Sequence, residues 1–265
     1  MTGSHTKAPP SGAADPGNFR GDCRLGVLAF GDSITNGGGE LQWGVALQSW
    51  ALWVARGLGL PFTCYAVDGA RVGDVVDSQI PSFLARSPVG AYFDLGCLYI
   101  GVNDVRSFEW DAAAFESDFR RALQFLGGRC ERVLTMTAPL DLGRPRAGAK
   151  VADLDTVILR VAGELGALVV DLSFWGARNL VMVDHVHPTA FGQIDIAQRA
   201  LAVLSAGGVR VEVAPSSLIS YAPSRWQRLR GDLTYVYRHA KLTAHSGALR
   251  ARLALLRGPP DAGSS

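Results

Sequence analysis

From residue 25 to about residue 204, short apolar runs rich in Val, Ile and Leu alternate with longer amphipathic stretches, the rhythm of parallel strands covered by helices. The runs predict strands over 25–30, 62–67, 93–100, 131–137 and 167–171. The stretches between them predict helices over 45–57, 72–86, 111–126, 149–165 and 189–204. In the first of these Leu47, Trp50, Ala51 and Val54 recur at helical spacing, and Gly57-Leu58-Gly59 supplies a stop. Trp50 and Trp53 therefore read as core, while Trp43 stays open between core and ligand contact. In an open α/β sheet ligands collect beyond the carboxyl ends of the strands, and Ser33, Gly69 and Asn103 all follow predicted strand ends.

Ser33 stands in Gly31-Asp32-Ser33-Ile34-Thr35, directly after the apolar run Leu25–Phe30 and before a helical segment. A strand-to-helix turn is where an α/β hydrolytic nucleophile sits, although Gly, Asp, Ser and Thr are also ordinary turn chemistry. A serine hydroxyl needs a base within reach, usually an imidazole oriented by a carboxylate. Asp184-His185-Val186-His187-Pro188 supplies both. The spacing lets Asp184 accept from His187 Nδ1 while Nε2 faces Ser33, and Pro188 keeps His187 out of the helical region. His185 lacks that spacing and the following proline, so His187 is the expected base. The Asp-His-x-His string is also a candidate metal ligand set, but no second cluster completes one, and no metal is expected. Gly37-Gly38-Gly39 is not followed by Gly-Lys-Ser/Thr and reads as a mobile loop beside the site, not a phosphate cradle.

These segments, with Ala66-Val67-Asp68-Gly69-Ala70 and Gly101-Val102-Asn103-Asp104, resemble in order the four blocks of the SGNH (GDSL-type) hydrolase family, over about residues 25–204. The resemblance implies a three-layer α/β/α sandwich, flavodoxin-like, with a central five-stranded parallel sheet. It implies a Ser33, His187 and Asp184 triad and an oxyanion hole made by the N–H groups of Ser33 and Gly69 with the side-chain amide of Asn103. Asp32 is then expected to hydrogen-bond the loop presenting Ser33, with Asp104 and Thr35 in similar supporting positions. One departure is Cys64, which stands where many members carry an asparagine five residues before the second-block glycine. The implied activity is ester hydrolysis through an acyl-enzyme on a small-molecule acyl ester, with no cofactor. An acyltransferase using the same acyl-enzyme, and a binding module that kept the fold, remain alternatives.

Length and composition fit one large domain with tails: 265 residues, 48% hydrophobic, net charge +2. No global field points to nucleic acid. Residues 1–22 lack a seven-residue apolar core and read as a disordered leader, so a cytoplasmic location is expected. Cys23, Cys64, Cys97 and Cys130 show no Cys-x-x-Cys spacing and read as reduced, partly buried thiols. The domain expected over 23–210 is followed by a basic extension, 211–265, in which Arg225, Arg228, Arg230, Arg238, Lys241, Arg250, Arg252 and Arg257 interleave with Trp226, Leu229, Tyr237 and Leu253. The favoured expectation for it is a partly helical appendage packed on the core, ahead of a basic amphipathic surface for an anionic membrane or a partner.

Overall fold

Five parallel strands, β1 (Val27–Gly31), β2 (Phe62–Cys64), β3 (Phe93–Tyr99), β4 (Cys130–Met136) and β5 (Leu168–Val170), form one sheet in the order β2-β1-β3-β4-β5 in the computed structural model. The structure describes residues 24–42, 45–142, 147–177, 179–219, 224–234, 236–237 and 240–241. The expected leader, Trp43, Cys23 and the tail beyond 241 lie outside the described residues. All five strands fall where the apolar runs predicted them, shortened by one to three residues at most ends. Central strand β1 is buried along its whole length, as a strand covered on both faces must be.

Two helical layers cover the sheet. On one side α2 (Trp50–Gly57) packs against α8 (Ala190–Ala206); the other carries α6 (Ala112–Gly127), α7 (Lys150–Leu165) and a helical run through α3 (Val72–Asp74), a π segment (Val75–Gln79) and α4 (Ile80–Arg86). Phe83 of α4 and Phe125 of α6 meet edge to face at 5.7 Å, and both reach Phe30 of β1, so aromatic packing locks this layer to the central strand. Trp50 and Trp53 are buried core residues, 0% and 4% exposed, as expected.

The first large helix begins later than its apolar spacing predicts. Ser49 accepts from the Ala51 N–H through its side chain and caps α2, so residues 46–49 stay outside it. Asp111 and Thr189 cap α6 and α8 in the same way, at the predicted starts. Two short helices, α1 (Ser33–Asn36) and α5 (Val102–Val105), lie directly beyond β1 and β3. Cys97 and Cys130 are buried, Cys64 is more exposed, and all three are free thiols.

Residues 225–234 are helical, which fits a partly helical extension, but they are not packed on the core as expected. Trp226 is 78% exposed and Leu233 62%. No described helix is long and apolar enough to cross a membrane.

Candidate active site

The sheet order reverses between β1 and β3: the chain leaves β1 for β2 on one side and returns to β3 on the other. In sheets with such a reversal, ligands bind beyond the carboxyl ends of the two flanking strands, here β1 and β3, the position from which α1 and α5 start. Ser33 is the first residue of α1, and Asn103 lies in α5. Asp32, the N-cap of α1, is 1% exposed and accepts from the Ile34 N–H at 2.9 Å, which fixes the turn that presents Ser33. Gly31 is required here by space, because a Cβ would lie 2.4 Å from the Tyr99 carbonyl oxygen.

The Ser33 hydroxyl lies 2.9 Å from His187 Nε2, across 154 residues of sequence. On the other side of the ring, His187 Nδ1 is 2.7 Å from Asp184 Oδ2. The second oxygen of Asp184 accepts from the Val186 and His187 N–H groups at 2.9 and 3.0 Å, so the carboxylate also shapes the loop. Burial works to raise the Asp184 pKa, but the His187 ring and these N–H donors outweigh it and hold the carboxyl at about 2. The Asp184 hydrogen bond raises the His187 pKa above its ordinary 6.5, ahead of the opposing effect of burial. His185 is directed elsewhere: its Nδ1 is 3.8 Å from Asp141 Oδ2. It is also the one described residue other than glycine with positive φ, +58°.

Gly69 sits in an exposed turn beyond β2. The strand pairing carries on past β2, through Val67 N–H to the Gly31 carbonyl at 3.1 Å, and Asn36 Nδ2 donates to Asp68 at 2.9 Å. These two bonds tie the Gly69 turn to the Ser33 turn. Asn103 Nδ2 donates to the Ala70 carbonyl at 3.0 Å, which joins the third block to the second and uses one of its two amide hydrogens. Asp104 accepts from the Val72 N–H at 3.2 Å. Burial raises the pKa of Asp104 to about 6 and that of Asp32 to about 7. Thr35 is fully buried, its carbonyl accepting from Ser49 Oγ at 2.6 Å and its hydroxyl from Trp50 Nε1 at 3.3 Å. At the family's asparagine position, Cys64 Sγ meets the Thr35 carbonyl at 3.9 Å, a weak thiol contact, and the Ala66 main chain.

The glycine loop, expected beside the site, is hydrogen-bonded to both the Ser33 turn and α8. Gly38 N–H donates to the Ser33 carbonyl at 2.6 Å, Gln193 Nε2 donates to the Gly38 carbonyl at 3.0 Å, and Ala190 N–H donates to the Glu40 carbonyl at 2.9 Å. Gly39, at φ +144°, passes so close to the histidine loop that a Cβ would lie 2.1 Å from the Pro188 carbonyl oxygen. The loop is a bracket between the Ser33 turn and the His187 loop.

Two buried amides escaped the sequence reading. Gln79 bonds both main-chain groups of Gly31, and Gln193 joins α8 to the carbonyls of Ile34 and Gly38 while accepting from the Trp50 N–H at 2.8 Å. The available signal was a polar residue on an apolar helical face: Gln193 shares its stripe with Ala190, Ile194 and Ala197. Among the described residues no group of three or more His, Cys, Asp or Glu side chains is placed to hold a metal ion.

Residues 29–193 match the GDSL-like lipase/acylhydrolase family. Among solved structures, an acetylxylan esterase from Geobacillus stearothermophilus is 20% identical with a TM-score of 0.53, covering 72% of this chain and 100% of its own. An α/β hydrolase enzyme from the metagenome of Lake Arreo, Spain, is also 20% identical with a TM-score of 0.53, covering 69% of this chain and 97% of its own. The acetyl xylan esterase AlAXEase is 22% identical with a TM-score of 0.52, covering 67% and 98%. At these identities the likeness is one of fold. No curated protein sequence matches the chain.

Proposed function

The chain belongs to the GDSL-like lipase/acylhydrolase family, and we propose that it is an ester hydrolase that forms an acyl-enzyme on Ser33. The observation that carries this reading is the continuous hydrogen-bonded line from Ser33 Oγ through both ring nitrogens of His187 to Asp184, at 2.9 and 2.7 Å.

In the proposed mechanism neutral His187 takes the Ser33 proton through Nε2 as the oxygen attacks the ester carbonyl. Asp184, ionised at any pH well above 2, fixes the tautomer with the proton on Nδ1 and stabilises the imidazolium that forms. The tetrahedral oxyanion is met by the N–H groups of Ser33 and Gly69 and the second amide hydrogen of Asn103, donors that come from the carboxyl ends of three neighbouring strands. Ser33 N–H belongs to the first turn of α1, whose N–H groups have no partner inside the helix. Imidazolium then returns the proton to the leaving alcohol. Water, deprotonated by the same ring, releases the acid and restores Ser33.

No cofactor enters these steps. The substrate class supported by the family is a small-molecule acyl ester, and the esterase names of the two acetyl xylan esterases suggest acetylated carbohydrates as the first panel to test. Ser33→Ala is the direct test. It should abolish both hydrolysis of a short-chain aryl ester and labelling by a fluorophosphonate probe, whereas unchanged turnover would overturn the assignment.

A further inference from the structure

Charge divides this chain unevenly. Residues 224–265 hold eight Lys or Arg against two Asp, a net +6, whereas residues 1–223 hold 18 basic against 22 acidic residues, a net −4. The helix at 225–234 opens the basic part, and its apolar side chains face water: Trp226 is 78%, Leu229 47% and Leu233 62% exposed. At 3.6 residues per turn these three share one stripe, and Val236 and Tyr237, 56% and 67% exposed, extend it. On the same count Arg225 and Arg230 fall just outside its two edges, Asp232 lies beyond Arg225, and Gln227, Arg228, Gly231 and Thr234 lie on the opposite side.

We propose that this helix is an interfacial anchor that lies on an anionic lipid surface, with Trp226, Leu229 and Leu233 inserted among the acyl chains and Arg225 and Arg230 at the headgroup phosphates. An apolar stripe edged by arginine, with tryptophan at its start, suits the boundary between headgroups and acyl chains. The net +6 of the segment supplies attraction to anionic lipid, and the net −4 of the remainder sets the orientation, since the hydrolase body is repelled by the surface its tail is drawn to. A nucleic acid would satisfy the arginines and leave the stripe in water. A second copy of the helix would bring like charge against like charge. Lipid satisfies both halves of the pattern. The proposal stands apart from ester hydrolysis, and neither depends on the other.

The full-length protein is tested by co-sedimentation with vesicles of phosphatidylcholine alone and of phosphatidylcholine mixed with phosphatidylglycerol. It should sediment with the mixed vesicles and stay in solution with the neutral ones. Arg225→Gln with Arg230→Gln should weaken the association roughly 30-fold. Leu229→Ser with Leu233→Ser should weaken it at least as much, while both double variants keep the parent's melting temperature because the stripe supports nothing in the core. If the leucine variant melts early, the arginine pair and the blue shift of Trp226 emission, measured against Trp226→Phe, decide the matter. Failure to bind mixed vesicles overturns the proposal. So does full binding by the leucine variant, a lipid-free dimer that this variant splits, or capture by an RNA oligonucleotide without capture by vesicles.

Discussion

Gln79 grips the main chain of Gly31 with both ends of its amide, accepting from the Gly31 N–H at 3.0 Å and donating to the Gly31 carbonyl at 2.8 Å. The residue is 2% exposed and comes from the π segment, where an extra residue per turn carries it onto the strand end. The Gly31 carbonyl also accepts from the Val67 N–H, whereas the Gly31 N–H is a buried donor met by the Gln79 side chain. Gln79→Met keeps the volume and strands that buried donor. It should cost about 1–3 kcal/mol in a denaturant titration. It should also lower kcat for ester hydrolysis, because Ser33 lies two residues further on.

The proposed mechanism needs a neutral His187, so kcat/KM should rise with pH through a single ionisation above the ordinary histidine value of 6.5, the direction in which Asp184 pushes His187. Asp184→Asn removes the largest cause of that shift. The apparent pKa should then fall towards or below the ordinary value, and kcat should drop roughly 10⁴-fold because the tautomer is no longer fixed. A pH–rate profile of both proteins measures the two effects together.

Asn103→Ala removes a proposed oxyanion donor and should cost roughly 10²–10³-fold in kcat. Steady-state kinetics with one aryl ester should show KM changed far less than kcat. An equal rise in KM would mean that the amide serves chiefly to hold Ala70.

Asp32 links the site to stability. Burial raises its pKa from 3.8 to about 7, so between those values the folded protein keeps the proton that the unfolded chain has lost, and the group costs stability progressively as pH rises through that window. Asp32→Asn retains an oxygen for the Ile34 N–H and removes that cost. Its melting temperature should exceed the parent's at about pH 8 and match it at about pH 4.

Gly39→Ala tests the bracket. The new methyl would meet the Pro188 carbonyl oxygen, a rigid main-chain atom, and φ of +144° is unfavourable for alanine. The variant should lose about 1–3 kcal/mol of stability. Activity should fall with it, since Pro188 follows the proposed base, and the two readouts together separate this variant from a purely local defect.

The sheet was legible because buried parallel strands are written as unbroken apolar runs, and β1 and β3 needed nothing beyond Val27–Phe30 and Phe93–Tyr99 to be found. Family blocks marked Ser33, Gly69 and Asn103 at strand ends and Asp184 and His187 ahead of a helix, and the structure brings Ser33, His187 and Asp184 into one hydrogen-bonded line. What stayed hidden was set by long-range bonding. Leu47 obeyed helical spacing yet stands outside α2, because the Ser49 cap fixes the start. Gln79 and Gln193 looked like incidental polar residues in apolar helices until the groups they bond, 48 and 159 residues away for Gly31 and Ile34, were visible. The tail's arginines and leucines gave the pattern of an amphipathic helix, but only exposure showed that nothing in the core covers it.

The position of Gln193 also orders events during synthesis. Its amide closes on Ile34, Gly38 and Trp50, and it follows His187 by six residues in the chain. All five strands lie before residue 171, so the chain has emitted the whole sheet before it supplies His187, the base that the proposed mechanism assigns to Ser33, or Gln193, which braces the Ser33 turn.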